Sequence, residues 1–441
     1  MYNREEALRY IVGEKEFLDT VVKENTEKYR KGNARVLVLD ENGEIQRNKT
    51  VKIRQVSHEF KFGANLFLLN ELETDEKNEK YKSAFSELFN MATLPFYWDS
   101  VEPEKGTTRY EIGSEMYYRR PPIDLCMDFC RENGIEPREH ALAYENHFPV
   151  WLKDSEVDEI KRELTRRYEE ISTRYADKIN TIEVTNEMFW YHSKTKFYDA
   201  PDYLEWCFKQ ADKYFPKNQL VVNESTEEAW CQVRRPNSQY YSYIENLMLK
   251  GARVDAIGMQ FHMFYERERE LERASSLYRP TNLYKYLDFY SRLINHLQIT
   301  EITIPAYSNE KRDEEIQAEI IEALYRVWFS HPACEQIIYW NLVDGYTYVD
   351  DPTPENIART QGDMTVGENR FYGGLLRFDM TPKPAYLRLK ELITKEWCTN
   401  LETQTDENGY ATFRGFFGEY EIEADGAITK FKLAKTERQT K

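Results

Sequence analysis

The spacing of apolar positions changes along this chain, and each change marks a different kind of element. Residues 1–31 carry apolar side chains at helical spacing, which predicts an amphipathic N-terminal helix. Residues 34–39 and 51–56 alternate apolar with polar positions on either side of a turn, which predicts a β-hairpin. The tail beyond residue 400 alternates in the same way and predicts two or three short antiparallel strands. Because so short a tail is marginal alone, we expect residues 32–58 and 400–437 to form one small β module.

Between these ends, short apolar runs alternate with longer helical patterns. Eight runs predict strands over 60–66, 91–98, 137–144, 181–187, 219–224, 255–262, 298–305 and 335–341. The patterns between them predict helices over 79–90, 121–133, 154–177, 201–214, 237–250, 281–296 and 313–330. Eight alternating units within residues 59–398 are typical of the α/β class and of a (β/α)8 TIM barrel. A doubly wound open sheet is the alternative, but eight strands are many for that class.

The charge and the cysteine pattern exclude several classes of function. The 441 residues carry a formal net charge of −17, which argues against nucleic acid and anionic membranes as partners. No apolar stretch approaches the ~18 residues of a membrane span, and the first residues lack the apolar core of a signal peptide. We therefore expect a cytoplasmic protein, or a secreted one if a leader was trimmed. The six cysteines are scattered and the seven histidines show no metal-ligand spacing, so we expect free thiols, no metal and no cofactor.

Two glutamates near the ends of predicted strands are the strongest indication of chemistry. Glu187 ends the run 181–187, and Glu301 lies in the run 298–305. A carboxylate at the end of a barrel strand is more typical of catalysis than of stability. Two carboxylates across one cleft are the minimum needed to cleave a glycosidic bond. One protonates the leaving oxygen, and the other attacks the anomeric carbon or activates a water.

Polar residues also end most of the other predicted strands. They are His140 and Tyr144 after the third strand, Asn186 in the fourth, Asn223 and Glu224 in the fifth, Gln260 and His262 in the sixth, and Trp340 and Asp344 after the eighth. Any one of them could belong to a turn or to the core, but a barrel brings all of these ends to one rim. Aromatic residues stand beside them, among them Tyr97, Trp98, Trp190 and Tyr191. Aromatic faces next to carboxylates suit the apolar face of a sugar ring.

Several segments together resemble glycoside hydrolase family 10, the β-1,4-xylanase family of retaining (β/α)8 enzymes. The segments that carry the resemblance are Val184–Phe189 with its Asn-Glu pair, Ile299–Ile304 around the second glutamate, Gly258–His262 as Gly-x-Gln-x-His, Arg138–His140 with Phe148–Trp151, and Phe378–Tyr386 with Pro-Lys-Pro-Ala-Tyr. Each segment alone is a weak signal, whereas the combination is specific. The resemblance extends from about residue 60 to residue 395.

The resemblance implies a role for each matching residue. Glu187 takes the place of the general acid/base and Glu301 that of the nucleophile. Asn186 would bond the 2-hydroxyl of the sugar in the −1 subsite, and His262 would orient the nucleophile and keep it ionised. The other substrate-binding residues expected along the cleft are His140, Gln260, Trp340, Tyr97, Trp98 and Tyr144. In physical terms the acid needs a raised pKa, while the nucleophile needs hydrogen-bond donors.

The chain departs from the family pattern at positions that bind sugars on the glycone side. The family usually carries a Glu-Asn pair and a Lys before Trp, and the segment Thr93–Trp98 contains none of the three. The usual Trp-His after strand three is Tyr144-Glu145, and the Trp-Gly of strand eight is Trp340-Asn341. Each missing contact should cost on the order of 1–3 kcal/mol. We therefore expect weak activity on plain linear xylan and better activity where the −2 position is bulkier, decorated or empty.

Two other functions stay open beside retaining hydrolysis of a β-linked polysaccharide or oligosaccharide. A clan-related β-glycosidase or glucanase would use the same Asn-Glu pair and nucleophile. A carbohydrate-binding pseudoenzyme belongs to a different class, and it predicts the loss of one of the two glutamates. Both Glu187 and Glu301 are present, which favours an enzyme.

Overall fold

The predicted barrel is present in the computed structural model, which describes residues 3–189, 195–233 and 238–435. Eight parallel strands close on themselves with helices in the connections, so the chain folds as a (β/α)8 TIM barrel. Further sheets are built from segments at the two ends of the chain.

The N-terminal segment contains two helical pieces instead of the single predicted helix. Helix α1 (Glu5–Val12) ends at Gly13, a poor helix former. Helix α2 (Lys15–Phe17) then continues through a π-helical turn (Leu18–Val22) into α3 (Lys23–Arg30). The expectation of one continuous helix is therefore wrong at Gly13, where the apolar pattern continued across the break.

Two strands follow, and each belongs to a different sheet rather than to the predicted hairpin. They are β1 (Lys31–Leu37) and β2 (Thr50–His58). Strand β2 buries Val51 and Ile53 and exposes the residues between them, as an alternating pattern predicts. Both strands take their partners from the C-terminal tail.

The barrel strands agree closely with the eight predicted runs. They are β3 (Lys61–Asn65), β4 (Met91–Pro95), β5 (Glu136–His140), β6 (Thr181–Asn186), β7 (Gln219–Glu224), β8 (Ala256–His262), β9 (Leu297–Thr303) and β10 (Cys334–Tyr339). Each pairs with the next, and β10 pairs with β3 to close the barrel. Strand β4 ends three residues before the end of the predicted run 91–98, and β5 ends four residues before the end of the run 137–144. The residues beyond them are buried under the rim loops, so the apolar pattern continues where the strand does not.

Helices occupy the connections between the strands and continue after the last of them. They are α4 (Asp75–Leu88), α5 (Trp98–Val101), α6 (Ile123–Asn133), α7 (Val157–Tyr175), α8 (Tyr203–Tyr214), α9 (Gln239–Leu249), α10 (Glu270–Leu277), α11 (Pro280–Tyr290), α12 (Lys311–Ser330), α13 (Pro354–Thr360) and α14 (Pro384–Glu391). Short 3₁₀ turns lie at Glu145–His147, Val150–Leu152, Arg267–Arg269 and Gly367–Phe371, and π turns at Glu227–Cys231 and Leu392–Glu396.

The tail forms four strands, which are more than the two or three predicted. They are β11 (Asn400–Gln404), β12 (Tyr410–Phe416), β13 (Gly418–Ala424) and β14 (Ala427–Leu433). Strand β12 pairs antiparallel with β1, and a second sheet has the order β11-β2-β13-β14. The expectation that the two ends of the chain pair with each other is confirmed. The division into residues 1–31, 32–58 with 400–437, and 59–398 stays a prediction.

Two smaller expectations also have an outcome. All six cysteines are free thiols, as expected. Among the described residues, none of the helices has both the length and the apolar character that a membrane span requires.

Candidate active site

The carboxyl ends of the barrel strands surround a cleft of about 740 Å³, a volume typical of small-molecule sites. Nine of the ten predicted site residues line it: Tyr97, His140, Tyr144, Asn186, Glu187, Gln260, His262, Glu301 and Trp340. They come from distant parts of the sequence and meet because parallel barrel strands all end at the same rim.

Glu301 lies on β9, is buried, and accepts hydrogen bonds from three neighbouring side chains. Asn223 Nδ2 lies 2.9 Å and Gln260 Nε2 3.1 Å from Glu301 Oε1. His262 Nε2 lies 3.2 Å from the other carboxylate oxygen, and its Nδ1 lies 3.0 Å from the Thr303 hydroxyl. Toward an ionised Glu301, which can only accept, His262 donates from Nε2 and accepts at Nδ1. These contacts fix the carboxylate in one orientation.

Burial and nearby charges act on the pKa of Glu301. Burial raises the pKa of Glu301 to about 8; His140 lowers it, and the like charges of Glu183 and Glu187 raise it. Burial thus opposes ionisation, whereas the three donors favour the carboxylate. That its surroundings keep Glu301 ionised stays a prediction. Burial also lowers the pKa of His262 to about 4, so this imidazole is neutral and adds no positive charge.

Glu187 follows directly after β6, and its backbone is in the left-handed region with φ of 51°. This conformation is uncommon for a residue with a side chain, and strained residues of this kind cluster at functional sites. The carboxylate accepts from the Tyr144 hydroxyl at one oxygen and from Gln260 Nε2, 3.0 Å away, at the other. Tyr144 therefore holds the carboxylate from one side of the cleft and Gln260 from the other.

One amide group connects the two carboxylates. Gln260 Nε2 lies 3.0 Å from Glu187 Oε1 and 3.1 Å from Glu301 Oε1. The two oxygens can be no farther apart than the sum of these distances. This upper limit for the two nearest oxygens is shorter than the roughly 6.5–9.5 Å between the carboxyl groups of inverting glycosidases and is compatible with the roughly 5–5.5 Å of retaining ones.

A buried layer of charged side chains supports this pair from below. Glu183 on β6 forms an ion pair with Arg138 and lies 2.8 Å from His140 Nδ1. Burial alone would raise the pKa of Glu183, but His140 and Arg138 outweigh it, so the pKa is lowered. For His140 the directions are opposite. Burial alone would lower the pKa of His140, but the charge of Glu183 outweighs burial, so the pKa is raised. His140 reaches the Tyr97 hydroxyl with its other nitrogen at 2.9 Å.

His140, Glu183 and Glu301 are close enough for their ligand atoms to hold a metal ion. Each of these side chains is already engaged: His140 uses both nitrogens, and Glu183 is neutralised by Arg138. Glu183 Oε1 and Glu301 Oε1 both accept from Asn223 Nδ2, at 3.2 and 2.9 Å, so this layer is connected to Glu301 through Asn223.

Trp98 is the one predicted site residue that the structure places outside the cleft. It begins helix α5, and its indole nitrogen donates to Glu102 Oε2 at 3.0 Å. The ring packs against Phe148 and Trp151 beneath the rim. Phe96 is also buried away from the cleft, against Tyr175. The predicted aromatics Trp190 and Tyr191 lie outside the described residues.

The sequence alone did not identify several residues that contribute to the cleft. Arg119 and Arg120 come from the long loop before α6 and line the end of the cleft near Tyr97. Glu183 was hidden inside an apolar run, although an acidic residue in the middle of a buried strand is itself a signal. The two arginines gave no such signal, because their loop has no periodic pattern.

A barrel with two carboxylates at its carboxyl-terminal rim, spaced in this way, is the arrangement of retaining glycoside hydrolases. The sequence profile described as Glycosyl hydrolase family 10 matches residues 55–389, and the chain belongs to this family.

Individual relatives are distant. Endo-1,4-beta-xylanase 1 of Arabidopsis thaliana is 24% identical over 85% of this chain, which spans only 34% of that protein. Endo-1,4-beta-xylanase B of Thermotoga neapolitana is 24% identical over 72% of this chain and 84% of its own length. Among solved structures, xylanase 10B of Thermotoga petrophila RKU-1 in complex with xylobiose has a TM-score of 0.58 at 22% identity. That match covers 77% of this chain and 95% of the xylanase.

Proposed function

We propose that this chain is a retaining β-glycoside hydrolase of the endo-1,4-β-xylanase type, acting on a β-linked glycan. The observation that carries the proposal is the pair Glu187 and Glu301, joined through the Gln260 amide at a spacing suited to double displacement. Membership of family 10 and the xylanase and xylobiose-bound relatives support a xylan-type backbone.

In the first step, Glu301 attacks the anomeric carbon while Glu187 donates its proton to the leaving oxygen. The glycosidic C–O bond breaks, and a covalent glycosyl ester forms on Glu301. In the second step, Glu187 removes a proton from water, and the water oxygen displaces Glu301 from the anomeric carbon. Two inversions give net retention of configuration, and both carboxyl groups return to their starting state.

The reactive form of the site carries one proton on the pair, and it must lie on Glu187. Burial raises the pKa of Glu301, which favours a proton on this carboxyl before reaction. Transfer of that proton from Glu301 to Glu187 produces the reactive form. The donors Asn223 and His262 then stabilise ionised Glu301.

Asn186 is arranged to bind a sugar hydroxyl. Its carbonyl oxygen accepts from Asn223 Nδ2 at 2.9 Å and from Gln260 Nε2 at 3.2 Å. Both contacts fix the orientation of the side-chain amide, and within the described residues its own nitrogen has no hydrogen-bond acceptor. A donor held in this way suits the 2-hydroxyl of the sugar at −1, where strengthened bonds lower the barrier.

The two glutamates are tested by their different responses to substitution. Glu301→Gln should abolish turnover of every substrate, because no covalent intermediate forms. Glu187→Ala should spare aryl β-xylosides with good leaving groups, because these need little protonation. Added azide should then release a β-glycosyl azide from the Glu187→Ala variant, seen by mass spectrometry and NMR.

Several outcomes would contradict the proposal. They are an inverted first product by NMR, an active Glu301→Gln variant, or an α-configured azide product. A panel of β-linked glycans distinguishes a xylanase from the alternative function. Faster release of sugar products from β-glucans than from any xylan would favour a glucanase of the same clan.

A further inference from the structure

Two arginines occupy one end of the cleft. Residues 102–122 connect α5 to α6 and bring Arg119 and Arg120 beside Tyr97 and Phe67, which follow strands β4 and β3. Both arginines line the cleft, yet only 4% of Arg119 and 8% of Arg120 is exposed. Cations this deeply buried normally have an anionic partner.

The Arg120 guanidinium is positioned by aromatic rings and has donors to spare. Its central carbon lies 4.1 Å from the Tyr97 ring centre and 5.2 Å from that of Phe67. One hydrogen bond, from Nη1 to the Arg119 carbonyl at 2.8 Å, is all that it makes within the described residues. Since a guanidinium has five N–H donors, most of its donors are available to a ligand.

Arg119 anchors the loop and adds a second positive charge. Its guanidinium donates to the Tyr346 carbonyl and to Asn341 Oδ1. Its Nε is buried with no acceptor among the described residues.

Within the described part of the chain, neither arginine forms an ion pair with a carboxylate. Asp99 is a carboxylate whose charge acts on Arg120, but its hydrogen-bond partner is His147, with Nδ1 2.9 Å from Asp99 Oδ2. Glu71 accepts from the Arg119 backbone amide, and burial raises the pKa of Glu71 to about 8. Glu368 accepts from Asn341. The two positive charges are thus left without a directly bonded anion, which is costly unless a ligand supplies one.

We propose that this end of the cleft is a subsite for a sugar carboxylate, which a uronic acid side group on the glycan backbone would supply. The inference rests on the proposed function and names its substrate class. A carboxylate matches the planar donors of a guanidinium, and the Tyr97 and Phe67 rings hold the Arg120 guanidinium in place for it.

The subsite lies on the side of the cleft away from the leaving group. Glu187, which protonates the leaving oxygen, directly follows β6. The arginines stand beside β3 and β4, which lie across the barrel from β7 and β8. Tyr97, on which Arg120 stacks, lies in the segment Thr93–Trp98, where the family's usual glycone contacts are missing from this chain. We therefore place the acidic sugar on the glycone side.

The test uses three xylo-oligosaccharides of equal backbone length. One carries a uronic acid on the glycone side, the second carries the same side group with its carboxyl reduced to a hydroxymethyl group, and the third is unsubstituted. For the unmodified protein, kcat/KM should be roughly ten- to hundredfold higher for the acidic substrate than for the reduced one. Arg120→Gln should remove most of this ratio by lowering kcat/KM for the acidic substrate toward that for the reduced one.

A matched control and a binding measurement complete the design. Arg131→Gln removes the same charge from an exposed position on α6 and should keep the full ratio. Calorimetry with the Glu301→Gln variant measures binding of the acidic and reduced compounds without turnover. Equal rates and equal affinities for the two compounds in the unmodified and Glu301→Gln proteins would overturn the inference, whatever the fate of the Arg120 variant.

Failure of the inference can be distinguished from failure of the proposed function. If the aryl xyloside and unsubstituted oligosaccharides are hydrolysed through Glu301 without any preference for the acidic compound, only the subsite is wrong. If none of these substrates is hydrolysed, the proposed function fails, and the calorimetric comparison still decides whether the arginines bind a sugar carboxylate.

Discussion

The raised pKa of Glu301 is the main feature at the scale of single residues. Glu301 lies among donors that favour its anion and like charges that oppose it, and burial decides the balance. A retaining glycosidase needs one carboxyl protonated and one ionised. The charge of Glu187 is among those that oppose ionisation of Glu301, so the state of the acid/base acts on the nucleophile.

Glu187→Gln should shift the pH dependence of the first chemical step to lower pH. The charge of Glu187 raises the pKa of Glu301, so its removal lowers that pKa. Glu301 must be ionised to attack, and kcat/KM for an activated aryl xyloside therefore rises with pH as Glu301 loses its proton. The rising limb should appear at lower pH in the variant. Glu111→Gln, at an exposed position, is the control, and an unchanged or more alkaline limb in Glu187→Gln would contradict the argument.

The residues of the site differed in how far the sequence could predict them. Glu187, Glu301, Asn186 and Gln260 stand in short segments fixed by strand ends, so their position at the rim could be predicted. Trp98 could not be placed, because β4 ends at Pro95 and Trp98 begins helix α5, whereas the predicted strand extended to residue 98. The arginine pair depends on the path of a long loop, and nothing local in the sequence records that path.

At the scale of elements, close packing between β7 and β8 positions the nucleophile. A Cβ atom on Gly258 of β8 would lie 2.5 Å from Asn223 Oδ1 of β7. Asn223 Nδ2 contacts Asn186, Glu301 and Glu183, so the missing side chain at Gly258 leaves room for the residue at the centre of the site.

Gly258→Ala should therefore impair catalysis without contacting substrate. The added methyl group displaces Asn223 and, through it, the carboxylate of Glu301. A shift of this kind should lower kcat/KM roughly 10–100-fold. The matched control is Gly113→Ala, where an added Cβ meets no atom within 4 Å. Full activity in Gly258→Ala, with Asn223 unmoved in a crystal structure, would show that the barrel absorbs the methyl group elsewhere.

Strand existence was easier to predict than strand ends. All eight barrel strands were found from runs of buried residues, since both faces of a parallel sheet are covered. The same burial continues past Pro95 and His140, where the chain leaves the sheet but stays under the rim loops. The pairing of β1 and β2 was also beyond local pattern, because their partners lie in the tail.

At the scale of the whole molecule, the face opposite the cleft joins the barrel to the segments at its ends. Trp397, after α14, stacks on Phe329 of α12 with ring centres 4.2 Å apart and on Phe62 of β3 at 5.7 Å. Arg30 of α3 donates to the carbonyls of Phe329, His331 and Cys334. Residues on this face of a TM barrel usually serve stability.

Trp397→Ala should separate stability from activity. Removal of a side chain only 2% exposed should cost about 3–5 kcal/mol of unfolding free energy, because it leaves a cavity between α12 and β3. Well below the melting temperature, kcat/KM should equal that of the unmodified protein. The measurements are urea denaturation and steady-state kinetics on one substrate; exposed Leu387→Ala is the control. A large loss of kcat/KM in the folded variant would show that the two faces are coupled.

The pairing of β2 with β11 and β13 has a consequence for synthesis of the chain. Strand β2 leaves the ribosome before any barrel strand, whereas both of its neighbours emerge after the last one. At roughly 5–20 residues per second, its edges wait tens of seconds for their partners. During that interval Val51 and Ile53 lie on a strand with two open edges, the kind of segment that recruits other nascent chains. The barrel can begin to fold while it is being translated, but this sheet forms only after β11 and β13 have emerged.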